Sequence, residues 1–347
     1  MKDVRDGSDV NLWRNSAEVV RWFKNLPNKR MSFIGFDVVE FYPSINESLL
    51  DKAINWSKSI SEMSEHEIKC IKLAKKSIMF FNGEPWTKKG KPFDVPMGSY
   101  DGAECCELVG LYMLHSMRGI KAHTGLYRDD GLMAVGSSPK EIERISQEVQ
   151  KIYRKEGLRI TIEANRKVVP FLDLKLDIAN RTYEPYLKEG NQPMYVNTQS
   201  NHPPAVIKAI PTGINHRLAQ LSISKEAFDR NKEPYQRALI EGGYSHVLEY
   251  YEVPLEPKIK KRAARNVIYF IPPYDKSVCM NVGQQFLHLV GKCFPKGNPL
   301  NKCFNRNSVK ISYRTMPNIG KKIDQHNGKI GKNAENDPEK PEKSTKK

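Results

Sequence analysis

Two short segments constrain this chain more than anything else in it: Phe36-Asp37-Val38-Val39-Glu40-Phe41-Tyr42 and Tyr127-Arg128-Asp129-Asp130-Gly131. Each sets aspartate at the end or turn of an apolar, β-prone run, and a long helix-patterned interval separates the two. A buried aspartate without a partner is costly, so it belongs at a strand end, paired or facing a cation. Carboxylates delivered from separate strands to one point are what a two-metal phosphoryl-transfer site requires. Each segment also has a plainer reading. Asp37 serves equally as a turn or capping aspartate ahead of Ser44, and Asp130-Gly131 is good turn chemistry.

The pattern between and around the segments predicts the architecture. Residues 12–26 repeat apolar positions at helical spacing until Pro27. Ser32 to Val39 reads as a buried strand. Ser44-Ile45-Asn46-Glu47 and Ser64-Glu65-His66-Glu67 have the form of capping boxes. The first opens a helix to about Ile60, and the second a helix with Ile68, Ile71, Ala74 and Ile78 on one face. Gly83 to Pro96 reads as a loop, followed by a helix from Asp101 to Met117. His123–Arg128 and Leu132–Val135 read as a hairpin turning at Asp-Gly. Ser138-Pro139-Lys140-Glu141 opens a helix that stops at Gly157. Leu158–Glu163 and Val168–Ile178 are strand-like.

The order β-α-α-α-β-β-α-β-β, with a tight central hairpin, favours an α+β fold: an antiparallel sheet with helices on one face. From Pro203 to Glu241 the pattern is helical, interrupted by Pro211 and Pro234 and ended by Gly242-Gly243. Beyond a composition shift at Pro254–Pro257, Arg265–Ile271 and Ser308–Tyr313 are strand-like around a helix at Val282–Lys292. The tail lacks apolar periodicity and reads as disordered.

The 347 residues carry a net charge of +16 and are 39% hydrophobic. Residues 258–347 hold 20 Lys or Arg against 6 Asp or Glu, so the basic excess belongs to the C-terminal part. Such a block suits a polyanion, of which phosphate backbone is the commonest, or else is merely a solvated basic surface. Cys70, Cys105, Cys106, Cys279, Cys293 and Cys303 form no Cys-x-x-Cys pair, which excludes a zinc ribbon. The first three, in helical context, are expected as reduced, buried thiols in an intracellular protein. No apolar run approaches membrane-spanning length, and no Gly-x₄-Gly-Lys-Ser/Thr phosphate loop occurs.

Three carboxylates at one place repel unless divalent cations intervene. Hard oxygen ligands beside substrate phosphates favour Mg²⁺ or Mn²⁺.

Taken together, the segments resemble the palm of reverse transcriptases, with the order and spacing of its motifs. Phe36–Tyr42 is similar to motif A and Pro96-Met97-Gly98-Ser99 to motif B. Tyr127–Asp130 is similar to motif C, Glu156 to Lys167 to motif D, and Phe171-Leu172-Asp173-Leu174 to the hairpin after it. The wording is closer still to the Penelope-like retroelement group. It lies in Met97–Glu104, Gly125–Leu132, Ser200-Asn201-His202-Pro203-Pro204, and Phe304-Asn305-Arg306-Asn307 through Met316-Pro317-Asn318-Ile319. The resemblance covers about residues 10–325.

The resemblance implies an RNA-directed DNA polymerase of a retrotransposon, a nucleotidyltransferase acting on an RNA template, a DNA primer and dNTPs. Asp37, Asp129 and Asp130 would be catalytic, holding Mg²⁺ or Mn²⁺ with the Val38 carbonyl. Phe41, Tyr42, Met97, Gly98, Ser99 and Lys167 would meet the nucleotide, Tyr42 as the ring that excludes a 2′-hydroxyl. The fold implied is a ferredoxin/RRM-like palm, a helical thumb and a small basic α/β C-terminal region. The expected division is 1–31 (N-terminal helix, a fingers remnant), 32–190 (palm), 191–257 (thumb-like), 258–319 (basic region) and 320–347 (tail). Lys208, His216, Arg217 and the run Lys258, Lys260, Lys261, Arg262 are candidate nucleic-acid contacts, the run also a nuclear-localisation candidate. For each, a solvated basic surface or linker is the plainer alternative.

Two departures from the family pattern matter. Fingers are largely missing before Asp37, and Lys29-Arg30 lies close to the strand; nothing beyond Ile319 resembles a GIY-YIG endonuclease. The rival expectation is therefore a truncated, inactive polymerase remnant that binds nucleic acid. An RNA-synthesising polymerase is disfavoured by Tyr42.

Overall fold

The computed structural model describes residues 2–27, 30–87, 89, 92–254, 267–278, 280–316 and 323. It forms two compact units, neither continuous in sequence. One comprises Met1–Gln192, Asn215–Pro234 and Glu249–Leu255; the other comprises Pro193–Ile214, Tyr235–Leu248 and Glu256–Lys347.

The first unit begins with α1 (Lys2–Gly7), β1 (Asn11–Leu12) and α2 (Ser16–Lys24). Then come β2 (Ser32–Val38), α3 (Phe41–Ser44), α4 (Glu47–Ser57) and α5 (Glu65–Ala74). A ribbon of β3 (Met79–Phe81) and β4 (Glu84–Trp86) precedes α6 (Gly102–Ser116). β5 (His123–Tyr127), β6 (Asp130–Val135), α7 (Pro139–Lys155) and β7 (Ile160–Arg166) complete the main sheet. β8 (Val168–Phe171), β9 (Leu174–Asp177) and β10 (Thr182–Pro185) form a separate antiparallel meander.

The main sheet has the order β1-β5-β6-β2-β7. Without the edge strand β1, which pairs parallel to β5, it is antiparallel with β2 and β6 central. Strands entered as β2, β5, β6, β7 and laid out as β5-β6-β2-β7 give the ferredoxin-like arrangement. Alternation along β2 and β6 sorts their side chains between two cores. Ile34, Phe36, Val38, Met133 and Val135 enter a core with α4, α6 and α7. Phe33, Leu132 and Ala134 enter another with α2 and the meander. α7 shows why helix and sheet meet: Ile142, Ile145, Val149 and Tyr153 recur at helical spacing and are all buried. Each such burial contributes about 1.5–3 kcal/mol.

Several expectations need correction. Helices do not lie on one face of the sheet alone, because α2 packs on the other. α2 starts at Ser16, not Leu12: Asn15 accepts from the Glu18 N–H as N-cap, and the residues before it are drawn into β1. The helix expected from Ser44 starts at Glu47, capped by Asn46, because a separate turn of helix occupies Phe41–Ser44. The Ser64 capping box is present in both directions. Its helix ends at Ala74, so Ile78 joins no helical face and is exposed. The loop from Gly83 contains β4. The strand Val168–Ile178 breaks at Leu172 (φ 56°) into β8 and β9. Cys70 is exposed, whereas Cys105 and Cys106 are buried; all three are free thiols.

α8 (Pro204–Gln220) and α10 (Glu233–Glu241) each run from one unit into the other, with α9 (Lys225–Asn231) between them. Pro211 lies inside α8 and does not interrupt it. In the second unit, β11 (Ile268–Phe270) and β12 (Val309–Ile311) pair in parallel, joined through α11 (Val282–Cys293). The two family-like phrases of this unit have structural work. Asn201 accepts from the Lys276 N–H at 2.8 Å. Asn305 accepts from the N–H groups of Asn307 and Ser308 and donates to the Asn301 carbonyl at 2.7 Å, fixing the turn before β12. Lys258, Lys260, Lys261 and Arg262 lie outside the described residues, as does the tail apart from Ile323.

Candidate active site

Asp37 is the penultimate residue of β2, and its cross-strand partner on β6 is Asp130. Directly opposed residues of an antiparallel pair have Cα atoms about 4.5–5.5 Å apart and share a face of the sheet. Thr161 of β7 opposes Asp37 from the other side. The turn between β5 and β6 is Arg128-Asp129, because Tyr127 pairs with Asp130. The hairpin therefore turns two residues earlier than the Asp130-Gly131 signal suggests, and Asp130 stands in a strand. Asp129 is held beside Asp37 through its backbone: its carbonyl accepts from the Val38 N–H at 3.0 Å.

Gly131 owes its identity to packing. A Cβ there would stand 2.0 Å from the Phe36 ring, its cross-strand neighbour. Two non-glycine residues flank the aspartates in left-handed backbone, Glu40 (φ 49°) and Arg128 (φ 56°). Such conformations are disfavoured for side-chain-bearing residues and cluster at functional sites.

Carboxylate crowding shows in the proton affinities. Burial, then the charges of Asp129 and Asp37, push Asp130 up to about 6. Burial, then Asp129, raises Asp37 from its ordinary value of 3.8. A cleft of about 280 Å³ opens here, lined by Asp37, Asp130, Gly131, Thr161, Glu163 and Phe171 among others.

Among the described residues no set of three or more His, Cys, Asp or Glu side chains forms a metal cage. The donors present suit another kind of site. Two opposed carboxylates with a third on the adjoining turn fit Mg²⁺, which keeps several waters and binds through one or two carboxylates plus phosphates.

The other expected site residues divide. Tyr42 is half-buried beside Cys106 and within electrostatic reach of Asp129. Burial, then Cys106, raises its hydroxyl pKa, and the Arg128 charge opposes that rise. Burial pushes the Cys106 thiol up to about 12. Phe41 is a core residue, 3% exposed, and cannot offer its ring to a nucleotide. Gly98 is left-handed (φ 90°) with open space around it. Met97 is exposed, and the Ser99 hydroxyl is buried without a partner.

Lys167 is not at the site. Its ammonium donates to the Met31 carbonyl at 2.6 Å and Ser32 Oγ at 2.8 Å, at the opposite end of β2 from Asp37. Five residues of strand put that end roughly 16 Å away. His216 Nδ1 lies 2.7 Å from the Tyr251 hydroxyl, and Arg217 Nε donates to Asp173 at 2.8 Å. Both are thus committed to contacts within the protein, whereas Lys208 is exposed.

An ion pair between a buried lysine and a half-exposed aspartate lies at the start of α6 and gives no sign in the sequence. The fully buried Lys75 ammonium donates to Asp101, directly before α6. A lysine among other lysines carries no signal of burial.

Residues 194–248 match a family described as the animal helix-turn-helix domain. No curated protein matches the chain in sequence. Among solved structures the chain is similar to telomerase from Candida albicans in complex with a fragment of telomeric RNA. Identity is 12% and the TM-score 0.46, over 70% of this chain and 43% of that one. It is similar also to an apo telomerase from Candida tropicalis (13% identity, TM-score 0.40, 53% of this chain and 42% of that one). A third is the RNA-dependent RNA polymerase of a human picorbirnavirus (14% identity, TM-score 0.44, 69% and 52%). The chain thus spans about half, or less, of the length of these structures.

Proposed function

We propose that this chain carries the catalytic centre of a template-directed nucleic-acid polymerase, specifically an RNA-directed DNA polymerase of the Penelope-like retroelement type. The observation that carries the reading is the direct opposition of Asp37 and Asp130 on the two central strands, with Asp129 tethered alongside by the Val38 N–H. Asp37, Asp129, Asp130 and the Val38 carbonyl would hold Mg²⁺ or Mn²⁺. When bound, such ions activate a primer 3′-hydroxyl and stabilise the leaving pyrophosphate.

The chain's own part is to place the reactants. Tyr42 walls the site with a ring fixed against Cys106, where a 2′-hydroxyl would collide. The open left-handed Gly98 would let a base or sugar lie against backbone, while Ser99, its hydroxyl buried, holds the turn into α6. The helix-turn-helix segment, with the exposed Lys208, would grip the primer-template duplex through its phosphates. The run Lys258 to Arg262 would add to that grip or direct the protein to the nucleus.

Primer extension on an RNA template tests the reading. Asp129→Asn abolishes dNTP incorporation without lowering the melting temperature; equal incorporation refutes the assignment. Tyr42→Ala admits ribonucleotides that the wild type rejects. Duplex binding with no extension in either Mg²⁺ or Mn²⁺ identifies a remnant that holds nucleic acid but performs no chemistry.

A further inference from the structure

The ribbon of β3 and β4 has no role in the polymerase reading, and the inference here goes beyond that reading. Its base is firmly held. The Ser77 N–H donates to the Pro92 carbonyl at 3.0 Å, and the Asp94 N–H to the Lys75 carbonyl at 2.8 Å. Lys75 is itself anchored on Asp101. Beyond that base Met79 pairs with Trp86, Phe80 with Pro85 and Phe81 with Glu84, and Asn82 (φ 51°) and Gly83 (φ 81°) turn the chain.

The side chains it carries are those a protein normally buries. Met79 is 71% exposed, Phe80 75%, Phe81 66% and Trp86 55%. A contiguous exposed apolar patch marks an interaction surface. Alternation puts Met79, Phe81 and Trp86 on one face and Phe80 on the other.

Charge decides the partner. From 76 to 93 the sequence holds Lys76, Lys88, Lys89 and Lys91 against the single acid Glu84. Lys76 and Lys89 are exposed and make no ion pair among the described residues. A second copy of the ribbon would bring like charges together. A purely apolar protein surface would leave the lysines unused. A nucleic-acid strand with unpaired bases uses both, since aromatic rings stack on bases and lysines meet the phosphates between them. A duplex does not, because its bases are already stacked on each other. The spacing is suitable: Phe81 and Trp86 are diagonal neighbours about 7–8 Å apart. Diagonal neighbours at that spacing are within reach of each other's aromatic side chains, so both rings can meet one strand.

We propose that this ribbon is a stacking platform for single-stranded nucleic acid, with Phe81 and Trp86 stacking on its bases and Lys76 and Lys89 meeting the flanking phosphates. The test uses the full chain without nucleotides or divalent metal, so catalysis plays no part. Fluorescence anisotropy with labelled oligo(dT) and oligo(U) about 12 nucleotides long is compared with a blunt duplex. In the Phe81→Ala/Trp86→Ala variant, single-strand affinity falls at least about fivefold, the smaller end of one stacking contact, while duplex affinity is unchanged. Trp86→Phe retains most of the binding. The two oligomers distinguish DNA from RNA as the preferred strand.

Unchanged single-strand affinity in a variant with wild-type near-UV circular dichroism overturns the proposal. So does an equal loss for single strand and duplex. Wild-type self-association in sedimentation that the variant abolishes, with strand binding intact, makes the patch a protein interface and also overturns it. Failure of the wild type to extend primers, with the variant still losing strand affinity, removes the polymerase reading and leaves the platform standing.

Discussion

At Asp130 three carboxylates compete for the same small volume, and the consequence is a proton. Its ordinary value of 3.8 becomes about 6 in the fold, mainly through burial. Between those values the folded chain holds a proton that the unfolded chain has released. Stability of the metal-free chain therefore falls as pH rises from about 4 to about 6, and levels off above. Asp130→Asn removes its share of that slope and leaves the share of Asp37, which is also raised. It stabilises the chain at pH 7 by on the order of 1–2 kcal/mol, allowing for the solvent-facing part of the carboxyl. Urea denaturation in chelator at both pH values reads the difference; parallel curves for the two proteins would exclude it. If the ionised carboxylates hold divalent cations as proposed, the apparent cation affinity rises over the same interval. Next door, Gly131→Ala forces a methyl into the Phe36 ring, which is itself packed edge-on against Tyr153. Overpacking of this kind costs about 1–3 kcal/mol, measurable by the same denaturation.

The hairpin tip and the loop before α6 are elements whose shapes are enforced from outside. Arg128 sits in left-handed backbone with its guanidinium 5.8 Å from the Tyr127 ring centroid. Arg128→Gly relieves the strain and raises stability by about 1 kcal/mol, seen as a higher melting temperature; a lower one would mean the ring contact dominates. The Lys75–Asp101 pair behaves oppositely. Asp101→Ala strands a fully buried ammonium and costs about 3–5 kcal/mol. Adding Lys75→Met to that variant recovers most of the loss, a non-additivity that a double-mutant cycle detects. Local chemistry at this scale was legible where it was unopposed, as in the reciprocal Ser64–Glu67 cap. It misled where neighbours competed: Asn46 took the cap expected of Ser44.

Across the whole molecule, the proposed hold on nucleic acid would draw on the basic excess after residue 258. Binding that rests on six or more phosphate contacts falls about 10³-fold or more between 50 and 200 mM salt. A shallow slope in an anisotropy titration would show that the lysines face solvent alone. The linear arrangement of the chain did foretell the central sheet. An apolar run ending in aspartate, a long helical stretch, a hairpin tipped with aspartates, an amphipathic helix and a further strand leave few ways to bury their apolar faces. The ferredoxin-like order satisfies them. Residue periodicity and turn chemistry are local properties, and these the string of amino acids carries openly. Long-range matters were settled by packing: that Asp37 faces Asp130 in register, that Lys167 is tied to the far end of β2, that Phe41 is core and that Lys75 is buried. A one-residue slip of β2 against β6 would turn Asp37 to the other face of the sheet without altering a single local preference. Register is fixed by which side chains fill the two cores, and that depends on all the elements at once.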